Sequence, residues 1–203
     1  MSATEDPRPG LVAPELAAEL PGVSLWWVAA AARPGPVGEA LARRLRLLSD
    51  RLRGADAVAL RTRPVVRAYR AFAREVGLDP DRERVPAERA ALARLMHGAS
   101  TARDRTEAAC LLAVLETGVG VWALDAAAVA PSGPQLRLCG GALVVADAAR
   151  VHAPVLGDPL PGSAPGPRTR SVVLFALGVP GVPEVHLHEA LWQAQGALAT
   201  ADA

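Results

Sequence analysis

The stretch Pro64-Val65-Val66-Arg67-Ala68-Tyr69-Arg70-Ala71-Phe72-Ala73-Arg74-Glu75-Val76-Gly77-Leu78-Asp79-Pro80 reads as a helix and its stop. Pro64 suits a first helical position, where a missing N–H costs nothing. Val65, Tyr69, Phe72 and Val76 recur at helical spacing and are expected to face a core. Arg67, Arg70 and Arg74 fall at i, i+3 and i+7, a single stripe on the opposite side. Gly77 can adopt the left-handed conformation that ends a helix, and Asp79-Pro80 marks a turn. Pro86 opens the next helix, with Leu92, Leu95 and Met96 expected inward.

Upstream, residues 1–10 are acidic and contain proline, and a flexible N-terminus is expected there. A short helix over 11–20 should end at Pro21-Gly22. Residues 23–32 read as a buried strand carrying Trp26 and Trp27. A helix over about 37–53 follows, with Leu41, Leu45 and Leu48 inward, and 55–61 reads as a short strand. Downstream, Asp104 and Glu107 have capping-box spacing before an apolar helix over 108–115 that Gly118 ends. The character then changes: residues 119–124, 135–139, 142–146 and 171–177 read as strands. Residues 154–168 are so rich in Pro and Gly that a mobile surface loop is expected. Pro183 starts a last helix with Val185, Leu191 and Trp192 on its apolar side. The pattern predicts one α/β (α+β) domain over residues 11–200.

A chain of 203 residues can bury one good core, and a second domain would be cramped. It contains no Ile, Lys or Asn, which reads as GC-rich coding rather than function, so every cationic side chain but histidine is Arg. Net charge is +1, yet residues 33–105 hold 17 Arg against 9 acidic residues and the rest holds 5 against 12. Such asymmetry permits a basic face that a polyanion would favour; equally, Arg can stand in for Lys on solvated helices. Cys110 and Cys139 lack metal or redox spacing and read as reduced, buried thiols. The longest apolar run near the N-terminus, residues 25–32, is too short to span a bilayer and no basic leader precedes it, so a cytoplasmic protein without membrane contact is expected.

The sequence offers little chemistry. There is no nucleotide-binding or zinc pattern, no nucleophile elbow, and no cofactor signature. His186 and His188 fall on the first turn of a helix, where i and i+2 point apart, so no metal site is expected. His97 and His152 have no spaced partner and read as surface or capping residues. Asp125 and Asp147 each follow a strand, where a carboxylate commonly organises a turn; a catalytic role is the alternative. No catalytic residue is assigned.

The run from Pro64 to Phe72, then Gly77-Leu78-Asp79-Pro80, then Arg84-Val85-Pro86-Ala87-Glu88 resembles the opening of the B3/B4 domain of phenylalanyl-tRNA synthetase beta subunits and its stand-alone members. The resemblance extends over about residues 20–198 and is more specific in this block than elsewhere. It implies a three-layer arrangement of sheets and helices. In the synthetase the domain hydrolyses tRNA mischarged with tyrosine, using a pocket histidine and glutamate. Residues 118–125 keep that motif's Gly and Asp as Gly118 and Asp125, but Trp122 stands at the histidine and Phe175, after the strand that Thr169 introduces, at the glutamate. The Asp and Asn of the family's V-V-D-x-x-N run fall on Ala108 and Leu111, and its Gly-Glu near the next strand falls on Gly140-Gly141. The resemblance therefore implies the fold with a cleft lined by Trp122, Asp125, Thr169 and Phe175, but not the editing chemistry. Apolar side chains cannot hold a substrate hydroxyl or ammonium. The expectation is a module that binds tRNA or an aminoacyl-type ligand, with Arg67, Arg70 and Arg74 as RNA contacts. A free-standing aminoacyl-tRNA deacylase and a protein-interaction domain are the alternatives.

Overall fold

The chain opens with two very short strands, β1 (Arg8–Pro9) and β2 (Leu11–Val12), that belong to different sheets. The computed structural model describes residues 5–52, 54–98 and 102–200. Where a flexible start was expected, Arg8 and Pro9 pair with Trp27 and Trp26. Gly10 then donates its N–H to the Leu25 carbonyl at 2.7 Å. A Cβ here would lie 2.7 Å from the Pro134 carbonyl oxygen and 2.8 Å from Leu25 Cδ2, so only glycine turns this corner. The remaining residues of the expected N-terminal segment, 1–4, lie outside the described residues.

The helical half runs through α1 (Pro14–Glu19), β3 (Ser24–Ala31), α2 (Glu39–Ser49), α3 (Gly54–Leu60), α4 (Pro64–Glu75), α5 (Pro86–His97) and α6 (Arg105–Thr117). The second half contains β4 (Val121–Asp125), β5 (Gln135–Cys139), β6 (Ala142–Ala146), β7 (Val151–Pro154), β8 (Ser171–Gly178) and α7 (Glu184–Thr200). One sheet has the order β1-β3-β8-β4, antiparallel throughout; the other has the order β2-β5-β6-β7, with β2 parallel to β5. The molecule is a single α+β domain, as the sequence pattern predicts.

Register sets the two faces of the first sheet. Trp27, Phe175 and Trp122 align in one row, and Trp26, Ala176 and Val121 in the next. Helices α6 and α7 lie side by side over the Trp26 face. Their approach at one end is close: a Cβ at Gly178 would sit 2.9 Å from Leu187 Cδ1. The Trp27 face meets the Gly10 corner, the turn at Gly133 and Pro86. The second sheet approaches the first through β2 and β5.

Several expectations change. Where 55–61 reads as a strand, α3 spans Gly54–Leu60; this Ala-rich run favours helix and anchors on buried Leu60. Residues 11–20 divide into β2 and α1. Helix α5 turns Ala87, Ala90 and Ala91 inward and leaves Leu92, Leu95 and Met96 exposed, because small side chains let it approach the core closely. Helix α7 buries Leu187, Ala190, Leu191, Ala194 and Leu198, whereas Val185 and Trp192 are exposed. Both cysteines are free, but only Cys110 is buried; Cys139 ends β5 in solvent. Strand β7 was not legible before the Pro/Gly stretch. That stretch is irregular, as its prolines require. It is fastened at Val155, Leu160 and Ser163, which bond to Leu143, His152 and Asp125 through the backbone. Among the described residues no helix is long and apolar enough to cross a membrane.

Candidate functional site

Helix α4 carries the three arginines expected to form one RNA-facing stripe. Arg67 and Arg74 are exposed. Arg70 is not: its side chain is 9 % exposed and its guanidinium is spoken for. Its Nη1 donates to both Glu88 carboxylate oxygens at 2.9 Å and to the Pro80 carbonyl at 3.2 Å; Nη2 donates to Asp81 Oδ1 at 2.8 Å. Burial works against the cation, but Asp81 and Glu88 outweigh it and raise its pKa. Arg61 reaches the same two carboxylates at 3.1 Å and 3.3 Å, and Arg84 reaches Asp81 at 3.3 Å. The Arg70 bond holds the Asp81 carboxyl below its ordinary value. Arg70 is thus a clasp between α4, the 79–81 turn and the start of α5, and it leaves the stripe. The correction has a simple cause: position 70 faces the returning chain, and Glu88 in the same motif is its partner.

Tyr69, the next residue inward, is fully buried. Its hydroxyl donates to the Leu177 carbonyl at 2.6 Å, tying α4 to β8. Burial holds its phenol well above the ordinary value, against the opposing effect of Gly120.

The expected cleft residues separate into two pairs. Trp122 and Phe175 stack with ring centroids 5.5 Å apart and planes 16° apart, and both are buried. The indole also lies over Gly120, where a Cβ would come within 2.5 Å of Trp122 Cη2 and 2.7 Å of Pro86 Cγ. Aromatic carbon therefore fills the space at this position. On the opposite face of β4, Thr169 Oγ1 donates to Asp125 Oδ2 at 2.6 Å and accepts from the Gly166 N–H at 2.9 Å. Asp125 Oδ1 accepts from the Ala127 N–H at 3.0 Å, so the aspartate caps the short turn Ala126–Ala128. Trp122 borders a cavity of about 220 Å³ with Thr106, Cys110 and Asp158, and Thr169 borders an adjoining one of about 310 Å³. Asp125 and Phe175 line neither. The charged groups at the rim are already engaged: Asp104 caps α6, Arg103 pairs with Glu107, and Arg89 with Asp158. Burial pushes the Cys110 thiol up to about 12, so it is no nucleophile.

Sequence reading missed a second polar cluster. His152, expected at the surface, is fully buried. Its Nδ1 lies 2.9 Å from Ser163 Oγ and its Nε2 lies 3.0 Å from Asp147 Oδ2. Asp147 also accepts from the N–H groups of Ala130, Ala149 and Arg150. Burial alone would raise its carboxyl, but these three donors and His152 reverse the effect and hold it far below the ordinary range. The Ser–His–Asp combination resembles a catalytic triad in composition only. Ser163 is 2 % exposed and the aspartate's acceptors are filled by backbone, so the cluster ties the β6–β7 turn, the Ala130 loop and the Pro/Gly stretch together. Asp147 caps a turn, as read from its position after a strand.

His186 and His188 lie on the first turn of α7, and His188 packs against Trp26 and Trp192. Among the described residues no three His, Cys, Asp or Glu side chains converge as metal ligands. No protein-family model matches the chain, and no curated protein is similar to it.

Proposed function

We propose that the chain is a non-editing B3/B4-type module that binds tRNA through the arginine-rich half of its surface. The observation that supports this reading is the Trp122–Phe175 stack packed over Gly120: aromatic carbon fills the two positions that the resemblance assigns to the editing histidine and glutamate. Binding then falls to the exterior. Arg63 and Arg67 are one helical turn apart and exposed; among the described residues neither has an ion pair, and Arg74 has one long one, to Asp81 at 3.9 Å. Each phosphate neutralised releases counterion, with a log–log salt slope of roughly −0.7 to −0.9 per contact.

The experiment is filter binding of bulk tRNA across a salt series, beside a deacylation assay with mischarged tRNA. Replacing Arg63, Arg67 and Arg74 with Gln should flatten the salt slope by about 2–3. Undetectable binding at low salt overturns the RNA reading; rapid release of amino acid from tyrosyl-tRNA overturns the non-editing one. A protein-interaction domain that kept only the fold is the second reading, favoured by the exposed Leu92, Leu95 and Met96 on α5.

A further inference from the structure

Helices α3 and α5 lie against one another and leave a groove of about 290 Å³ between them. Its α5 wall is Ala91, Leu92 and Leu95; its α3 wall is Val58. The spacing is that of one face on each helix, and none of the described residues covers it. Val58 is 74 % exposed, Leu95 47 % and Leu92 44 %, with Met96 just beyond. Three neighbouring apolar side chains left in water at the mouth of a groove are unlike the scattered single exposures of an ordinary surface.

The rim decides what would sit there. Arg61 and Arg84 border the groove together with Glu88, two cations to one carboxylate. Residues 51–97 hold 11 Arg against 6 acidic residues. The nearest carboxylates are consumed internally: Glu88 by Arg70 and Arg61, and Asp81 by Arg61, Arg70 and Arg84. Among the described residues the exposed Arg82 makes no ion pair. An apolar floor with a cationic rim is complementary to one chemistry, an amphipathic helix with leucine-type anchors and acidic flanks. Such helices dock by placing i, i+3, i+4 and i+7 anchors in a groove between two others. A nucleic acid would satisfy the rim but not the floor.

We infer that the α3–α5 groove is a docking site for an acidic amphipathic helix of a partner protein. This goes beyond the tRNA reading and is independent of it, since Arg63, Arg67 and Arg74 do not line the groove.

The test is fluorescence anisotropy with the full chain and a labelled 16-residue helical peptide of Leu anchors and Glu flanks. A control peptide carries Lys in place of Glu. The expected result is saturable binding at least tenfold tighter for the Glu peptide, weakening as salt rises. Leu95→Glu should cost at least tenfold in affinity with an unchanged melting temperature, since the side chain is exposed; Leu95→Ser serves as a second variant if the charge disturbs folding. Equal binding of both peptides, no binding, or full binding by both Leu95 variants overturns the proposal. So does a concentration-dependent dimer that Leu95→Glu dissociates, because a second copy would then occupy the groove. Loss of tRNA binding in the Leu95 variants would also overturn it, and would leave the tRNA reading standing.

Discussion

The two buried polar clusters solve the same problem with different materials. The Arg70 cluster is ionic, built from one contiguous stretch, and open to water on one side, since Asp81 is 53 % exposed. The His152 cluster has one carboxylate, is closed to water, and joins strand β7 to three loops of the sheet half. The first fixes how two helices meet at a turn. The second fixes loops that have no regular hydrogen bonding of their own. Charge suffices where solvent still screens; where it does not, each acceptor needs its own donor.

That contrast can be broken most directly at Glu88. Glu88→Ala leaves a guanidinium in a site with half its counter-charge gone, and should cost about 3 kcal/mol by urea denaturation. The double change Arg70→Met with Glu88→Leu removes both charges and should recover most of the loss. If Glu88→Ala costs under about 1 kcal/mol, Asp81 alone satisfies Arg70 and the clasp is a surface network. At the other cluster, His152→Ala should cost about 2 kcal/mol through a small cavity and two lost contacts. Its signature should also be local: faster amide exchange at Leu160 and Ser163, with α4 and α5 unaffected. Uniformly faster exchange would show that the loops are held by something else.

The smallest effect separates the clusters by pH. The Asp147 carboxyl is depressed in the folded state, so its contribution is complete above the unfolded carboxylate value of about 4 and is lost as pH falls below it. The slope from this one group cannot exceed about 1.4 kcal/mol per pH unit. Urea midpoints between pH 6 and pH 2.5 should therefore fall less steeply in Asp147→Asn than in the parent, whatever the offset between them. Parallel curves would mean that the acid sensitivity lies with Asp81.

What was legible follows from how local each feature is. Helix α4 and its Pro64 start follow from spacing, and so does the Asp104 cap of α6, confirmed by the bond from Glu107 N–H at 2.9 Å. The inward face of α5 did not follow. Leucines there predict burial, but three alanines allow a closer approach and win the interior. The arginine stripe had correct spacing and the wrong environment at Arg70, because a helix pattern says nothing of the chain that returns beside it. His152 and Ser163 meet only because β7 and the following loop fold back, and no periodicity records that. Trp122 and Phe175 stood out through the resemblance; their stacking needed the register of β4 on β8.

The ladder between β3 and β8 has a consequence for the birth of the chain. Ser24 is matched to Gly178 and Ala31 to Ser171, so β3 finds its central partner only after the whole helical half between them has been made. The Gly10 corner waits as well, since Leu11 pairs with Gln135. Contacts so distant in sequence carry the full entropy of closing the intervening loop. While ribosomes translate the helical half, Leu25, Trp26 and Trp27 remain without their sheet. A nascent chain stalled before β8 would thus present an apolar strand whose β8 edge is open, the form a holding chaperone captures, and release should follow once residues 171–178 clear the exit tunnel.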